Sequence, residues 1–129
     1  VSAEDIVRYS SMKAAPIRDN HYLIDDMIEK PAPGREFSMF SILGRCLLTA
    51  DIYPILEHTK PGAGGEIQLT DAMAELARTA GVTGVDFTGK RYDMGNKLGV
   101  MQAQVETALA HPEIGPAFRA YLKGLAGSL

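Results

Sequence analysis

The stretch that decides how the middle of this chain folds runs Lys60-Pro61-Gly62-Ala63-Gly64-Gly65-Glu66-Ile67-Gln68-Leu69-Thr70-Asp71. Its proline and glycines favour a loop. The residues that follow have the periodicity of a helix over residues 66–80, with one face formed by Leu69, Met73, Leu76 and Ala77. Gly81 is suited to the C′ position that ends such a helix. The stretch therefore predicts a glycine-rich turn that leads into an amphipathic helix.

A helix start presents unpaired backbone N–H groups and a partial positive charge, so this turn could hold a phosphate. It lacks the Lys-Ser/Thr ending of a P-loop, however. We therefore favour a structural turn, in which Thr70 and Asp71 lie early in the helix and suit its dipole.

The segments on either side of this stretch alternate between strand and helix. Strands are predicted over residues 21–30, 37–48 and 82–88, the second one buried and interrupted near Gly44. Helices are predicted over residues 52–58, 96–110 and 114–125. Residues 1–20 have a mixed pattern without a clear element. The alternation predicts an α/β fold.

Length and composition are those of one soluble domain. With 129 residues we expect a single domain, whose sheet part covers about residues 1–95 and whose helical part covers about residues 96–129. The net charge of −3 gives no reason to expect a nucleic-acid partner, so an anionic substrate would have to be held by local groups.

The chain has one cysteine, Cys46, so no disulfide can form within it. This fits a reducing, cytoplasmic setting, and we expect Cys46 to be inert core within its apolar strand. No apolar run approaches the roughly 18 residues of a membrane span, and no signal segment opens the sequence, so we expect no membrane association. The histidines match no metal-ligand spacing, and the serines have no nucleophile motif.

The tripeptide Glu29-Lys30-Pro31 places an acceptor and a cation at the end of a predicted strand. Ligands of open α/β sheets lie beyond such strand ends. Glu29 could accept hydrogen bonds from sugar hydroxyls and Lys30 could contact a phosphate, provided that the strand bends near Pro31. From the tripeptide alone, an exposed surface ion pair is the favoured alternative.

The run Tyr92-Asp93-Met94-Gly95 lies between a predicted strand and a predicted helix. A carboxylate in such a loop could bind Mg²⁺, which takes oxygen ligands and keeps substrate phosphates as partners. From the residues alone it is at least as plausible that Asp93 caps the helix that follows.

The order and spacing of these three motifs resemble the bacterial UTP–glucose-1-phosphate uridylyltransferases, from about Met27 to Leu125. The resemblance implies part of a nucleotide-diphospho-sugar transferase fold, which is Rossmann-like with a mixed sheet and C-terminal helices. This chain would correspond to the C-terminal half of the enzymes of that family. The family's triphosphate-binding loop and first metal-binding aspartate, which belong to the other half, are not in this sequence.

The resemblance also implies roles for individual residues. Glu29 would hold glucose hydroxyls, Lys30 would contact phosphates, and Asp93 would be the second ligand of Mg²⁺. Ser10 and Ile42 would lie at the substrate, with Ser10 where the family has a glycine. In the same segment Met39 stands where the family has an asparagine.

The activity that the resemblance implies is the formation of UDP-glucose and pyrophosphate from UTP and glucose 1-phosphate. We expect the isolated chain to be inactive and to self-associate, as family members do. Two alternatives stay open: a non-catalytic oligomerisation domain that retains part of the fold, and a nucleotidyltransferase for another nucleotide or sugar phosphate.

Overall fold

A computed structural model describes residues 1–128 of the chain. The chain divides into two compact units, the first covering Val1–Thr88 and the second beginning at Gly89. That the two units form a single domain, as the length of the chain suggests, stays a prediction.

The described part of the first unit contains an antiparallel sheet with strand order β1-β2-β3. Its strands are β1 (Ser10–Arg18), β2 (His21–Glu29) and β3 (Val82–Val85). β1 and β2 form a hairpin in which Arg18 pairs with His21. Sequence analysis missed β1, because its alanines, lysine and Pro16 are poor strand formers. Pro16 is tolerated since β1 is an edge strand of this sheet.

The strand predicted over residues 37–48 is wrong, because this segment is irregular in the structure. Serine side chains bind it to β1 instead of a ladder, together with a backbone hydrogen bond from the Met12 N–H to the Phe40 carbonyl oxygen at 3.0 Å. The Ser11 hydroxyl accepts hydrogen bonds from the backbone N–H groups of Phe37 and Ser38, at 2.9 and 3.1 Å. The Cys46 side chain is exposed, so the expectation of a core cysteine is also wrong.

Three helical segments follow within the first unit, as far as the structure describes it. They are α1 (Ile52–His58), a 3-10 turn (Ala63–Gly65) and α2 (Leu69–Thr79). Gly81 has a φ of 83°, which confirms it at the position that ends α2. α2 packs on β2, and the buried apolar residues of this core are Ile24, Met27, Ile52, Ala72, Met73, Ala74, Leu76 and Ala77. Leu69, predicted for the buried face, is 45% exposed.

The second unit is helical over its described residues. α3 (Lys97–Ala110) begins after Asn96, whose side chain accepts hydrogen bonds from the N–H groups of Leu98 and Gly99 and so caps the helix. α4 (Gly115–Ala126) follows with Pro116 in its first turn. Both helices confirm the sequence prediction within a residue or two. No helix within residues 1–128 has the length and apolar character that crossing a membrane requires.

Candidate functional site

The end of β2 is shaped by a residue in a left-handed backbone conformation. Lys30 follows the last residue of the strand with a φ of 45°, although it is not glycine. Its backbone N–H donates to the carbonyl oxygen of Tyr9 at 2.9 Å, so the chain stays paired with β1 while it turns. The predicted bend is therefore present one residue before Pro31. The Lys30 side chain is exposed, and among residues 1–128 no carboxylate forms an ion pair with it.

The Glu29 carboxylate is bound by a residue of the glycine-rich stretch. The Thr70 hydroxyl donates to Glu29 Oε2 at 2.7 Å. Thr70 is 8% exposed and lies in the first turn of α2, where the helix dipole favours an anion. The surface ion pair with Lys30, which the tripeptide alone favours, does not form among the described residues.

Ser10 lies directly opposite Glu29 in the β1–β2 ladder. Directly opposed residues of a sheet have their side chains on the same face. Ser10 is 4% exposed, and its hydroxyl oxygen accepts a hydrogen bond from the backbone N–H of Ile42 at 3.0 Å. The first unit therefore brings four predicted site residues together at one end of the hairpin: Ser10, Glu29, Lys30 and Ile42.

Backbone groups of the glycine-rich turn form hydrogen bonds with one another. The N–H of Gly62 donates to the carbonyl oxygen of Glu66, and the N–H of Gly65 donates to that of Gly62, at 2.8 and 2.9 Å. A Cβ atom at Gly62 would lie 2.1 Å from Asp71 Oδ2, so a side chain at this position would displace the Asp71 carboxylate. These bonds support the interpretation as a structural turn rather than a phosphate cradle.

A cleft of about 430 Å³ lies beside this turn. Its charged lining is of both signs, since Lys60 and Arg78 face the same space as Asp71 and Glu75. The Arg78 guanidinium is already 2.6 Å from the Asp26 carboxylate. This mixed charge does not favour an anionic ligand in the cleft.

Asp93 belongs to the second unit and lies in the loop before α3. Its Oδ1 accepts a hydrogen bond from the backbone N–H of Gly95 at 2.9 Å. The cap of α3 is Asn96 rather than Asp93. A Cβ atom at Gly99 would lie 2.2 Å from the Asp93 carbonyl oxygen, so this glycine lets the first turn of α3 pack against the loop.

Glu106 of α3 binds the same loop on both sides of Arg91. Its carboxylate pairs with the Lys90 ammonium and accepts a hydrogen bond from the Tyr92 hydroxyl at 2.7 Å. The hydrogen bond from Lys90 holds the pKa of Glu106 below its ordinary value of 4.5. The hydrogen bonds to Glu106 raise the pKa of Lys90 above 10.5 and that of Tyr92 above 10.0.

The described residues supply little of a metal site by themselves. Within residues 1–128 no group of three His, Cys, Asp or Glu side chains is placed to hold a metal ion. Asp93 can offer one hard oxygen donor, so the donor set fits an ion that takes its remaining ligands from substrate phosphates, water or other protein groups.

Comparison with known proteins shows which class of protein this chain resembles, and then which members of that class are similar to it. No family model matches. A solved structure named UDP-glucose pyrophosphorylase complexed with UDP-glucose aligns with 96% of the chain at 34% identity, with a TM-score of 0.75. A UTP-bound enzyme from Acinetobacter baumannii aligns with 95% of the chain at 32% identity, with a TM-score of 0.79. The chain therefore has the fold of part of a nucleotidyltransferase.

Curated sequences give the particular family. The chain is 44% identical over 108 residues to UTP–glucose-1-phosphate uridylyltransferase 2 of Streptococcus pyogenes, a match that covers 84% of the chain. It is 45% identical over 105 residues to the uridylyltransferase of Streptococcus pneumoniae. The resemblance is thus confirmed, and the chain is homologous to the UTP–glucose-1-phosphate uridylyltransferases over part of their length.

The match covers only 36% of the Streptococcus pyogenes protein and 42% of each of the two solved chains named above. The chain thus spans well under half the length of the relatives.

Sequence reasoning predicted the residues that would contact a ligand. It missed the residues whose hydrogen bonds position them. The sequence places Thr70 on α2 only for its suitability at a helix start, and it gives Ser11 and Ser38 no role beyond the absence of a nucleophile motif. The available signal for these contacts is the presence of serines both in β1 and in the segment after Pro31. Serine hydroxyl groups can form hydrogen bonds with the backbone groups of an irregular segment.

Proposed function

We propose that this chain provides the sugar- and phosphate-binding part of a UTP–glucose-1-phosphate uridylyltransferase. The observation that carries the proposal is the convergence of Glu29, Lys30, Ser10 and Ile42 at one end of the hairpin. The relatives' names support the choice of UDP-glucose, and a relative has been solved with that molecule bound.

In the proposed reaction a phosphate oxygen of glucose 1-phosphate attacks the α-phosphorus of UTP. The bond to the β-phosphate breaks, and pyrophosphate leaves. Such a displacement needs positioning and neutralisation of charge more than covalent help. Glu29 would accept hydrogen bonds from glucose hydroxyls, and the Lys30 ammonium would offset charge on the phosphates. Ser10 and Ile42 would form the wall beside the sugar.

Mg²⁺ is the cofactor that we propose, with Asp93 as its ligand from this chain. The ion supplies charge neutralisation at the phosphates when bound. Glu106, through Lys90 and Tyr92, would keep the loop that carries Asp93 against α3.

We expect no turnover by the 129-residue chain alone, because its sequence holds neither the family's triphosphate loop nor the family's first metal-binding aspartate. The test combines release of pyrophosphate from UTP, glucose 1-phosphate and Mg²⁺ with binding of UDP-glucose. Nuclear magnetic resonance titration suits the binding measurement, since it follows dissociation constants up to the millimolar range.

The proposal predicts binding of UDP-glucose that weakens in Glu29→Gln, with no release of pyrophosphate. Absence of UDP-glucose binding by the unmodified chain would contradict the proposed function. Turnover that is lost in Asp93→Ala would contradict the expectation of an inactive part and would show a complete active unit.

A non-catalytic oligomerisation domain is the second candidate, and exposed apolar residues on the helices favour it. Leu98 and Met101 lie one turn apart on α3 and are 64% and 52% exposed, and Tyr121 of α4 is 63% exposed. Such surface is typical of protein interfaces. Self-association as a homo-oligomer is compatible with both candidates, as is a cytoplasmic location. A preference for another nucleotide or sugar phosphate would be found by titrating dTDP-glucose beside UDP-glucose.

A further inference from the structure

We infer that Thr70 is a positioning residue for the Glu29 carboxylate, so that the glycine-rich stretch contributes to sugar recognition without touching the sugar. This inference rests on the proposed role of Glu29. Its basis is the hydrogen bond of 2.7 Å from Thr70 Oγ1 to Glu29 Oε2, which joins residues 41 positions apart in the sequence.

Thr70 is a rigid donor because of where it lies. Thr70 is 8% exposed, and Ala72 and Met73, further along α2, are buried in the core that this helix forms with β2. A β-branched side chain on a helix has few rotamers. In α2 the Thr70 hydroxyl donates across to β2, whereas that of Thr79 donates to the Glu75 carbonyl oxygen of its own helix.

Glu29 by itself would be a flexible ligand. A glutamate side chain loses rotamer entropy when it is fixed. Among residues 1–128 Thr70 is the hydrogen-bond partner that the structure gives to this carboxylate. Since Thr70 occupies Oε2, the carboxylate is held in one orientation and Oε1 remains to accept hydroxyl groups of a ligand. A preorganised acceptor binds more tightly because less freedom is lost on binding.

The remainder of the glycine-rich stretch fixes Thr70 in turn. The turn from Gly62 to Glu66 is closed by its own backbone hydrogen bond, and Gln68 donates from its side chain to the Ala63 carbonyl oxygen at 3.0 Å. α2 begins directly after Gln68. The start of the helix, and with it the hydroxyl of Thr70, is thereby set by the turn.

The experiment measures binding of UDP-glucose and of UDP by nuclear magnetic resonance titration. The variants are Thr70→Val, Thr70→Ser and Glu29→Gln, with Thr79→Val as the matched control on the same helix. Thr70→Val keeps the shape and removes the donor, and we expect UDP-glucose binding to weaken about tenfold, the factor expected for a hydrogen bond to a charged group. Thr70→Ser and Thr79→Val should bind as the unmodified chain does, and binding of UDP should change in none of the four.

The double variant, Thr70→Val with Glu29→Gln, distinguishes a positioning role of Thr70 from a role limited to folding. If Thr70 acts through Glu29, adding Thr70→Val to Glu29→Gln leaves the dissociation constant of the single Glu29→Gln variant unchanged. If Thr70→Val fails to fold, as judged by its amide spectrum, Thr70→Ala is measured in its place.

The inference is overturned if Thr70→Val binds UDP-glucose as tightly as the unmodified chain while Glu29→Gln is weakened, and the proposed function then stands. It is also overturned if Thr70→Val weakens UDP and UDP-glucose equally, because the effect is then not at the sugar. No binding of UDP-glucose by the unmodified chain overturns both the proposed function and the inference.

Discussion

At the scale of single residues, Lys30 combines an unfavourable backbone conformation with a charged side chain at the candidate site. A left-handed conformation costs an L-residue roughly 1–2 kcal/mol, and such conformations persist where the surrounding structure enforces them, often at ligand sites. Asp19, in the hairpin turn, has nearly the same φ of 44° but lies at the opposite end of the hairpin. The pair offers a matched comparison of a left-handed residue that has a proposed role in binding with one that has none.

We predict that Lys30→Gly leaves the free energy of unfolding unchanged or raises it by up to about 1 kcal/mol, because glycine adopts this conformation without strain but loses more chain entropy on folding. The same variant should lose most of its affinity for UDP-glucose. Asp19→Gly should change stability in the same direction and leave binding unchanged. Urea unfolding and the titration described above give both quantities. Equal loss of binding in the two variants would remove the special role of Lys30.

At the scale of structural elements, the segment after Pro31 depends on serine hydroxyl groups. Ser11 is fully buried and, besides accepting two backbone N–H groups, donates to the Ser38 carbonyl oxygen at 2.8 Å. Within residues 1–128 the Ser41 hydroxyl makes one weaker contact, 3.4 Å from its oxygen to that of Ser10.

Ser11→Ala should therefore lower the free energy of unfolding by about 1–3 kcal/mol, since it leaves partly buried backbone groups without their partner. Ser41→Ala should change it by less than about 0.5 kcal/mol. The midpoints of urea unfolding, at unchanged denaturant slope, provide the comparison. A loss of equal size in both variants would mean that the hydroxyl of Ser11 does not hold this segment.

The loop before α3 depends on an ionic contact with a defined pH range. Because the pKa of Glu106 is lowered, its stabilising contribution is complete above pH 4.5 and is lost as the pH falls through the lowered value. Because the pKa values of Tyr92 and Lys90 are raised above 10.0 and 10.5, their contributions are complete below those values and are lost as the pH rises through the raised ones. The contact should therefore be intact between about pH 4.5 and pH 10.

We predict that the Glu106 carboxyl carbon titrates with a midpoint below 4.5 and that Lys90→Met moves this midpoint upward. Carbon-detected nuclear magnetic resonance gives the midpoint directly. Lys97→Met removes a charge of the same sign from the first residue of α3 and serves as the control, with no expected change. A midpoint that is the same with and without Lys90 would show that the contact does not form in solution.

At the scale of the whole molecule, the exposed apolar surface of α3 and α4 predicts self-association. Light scattering over a range of protein concentrations should give a mass above that of a monomer. Met101→Lys, which places a charge on the exposed face of α3, should shift the mass toward the monomer. A monodisperse monomer at all concentrations would contradict this prediction.

Much of the architecture follows from local sequence patterns, while the contacts that complete the site do not. β2, α1 and α3 match their predictions because periodicity and caps such as Asn96 are encoded locally. The sequence gives no prediction of β1, and its prediction of a strand over residues 37–48 is wrong, since a ladder partner and buried serines outweigh local strand propensity there. Glu29 and Lys30 stand out as a motif, whereas the contact of Glu29 with Thr70 depends on how two distant elements pack.

The distance along the chain between Glu29 and Thr70 has a consequence for the order of folding. The β1–β2 hairpin and α2 can each form from neighbouring residues, but the hydrogen bond between them closes a loop of 41 positions. Closing such a loop costs entropy before any contact compensates for it, so non-local pairs form late. The candidate sugar site is then among the last parts of the first unit to assemble, and any species that has hairpin and helix but not their contact lacks the site.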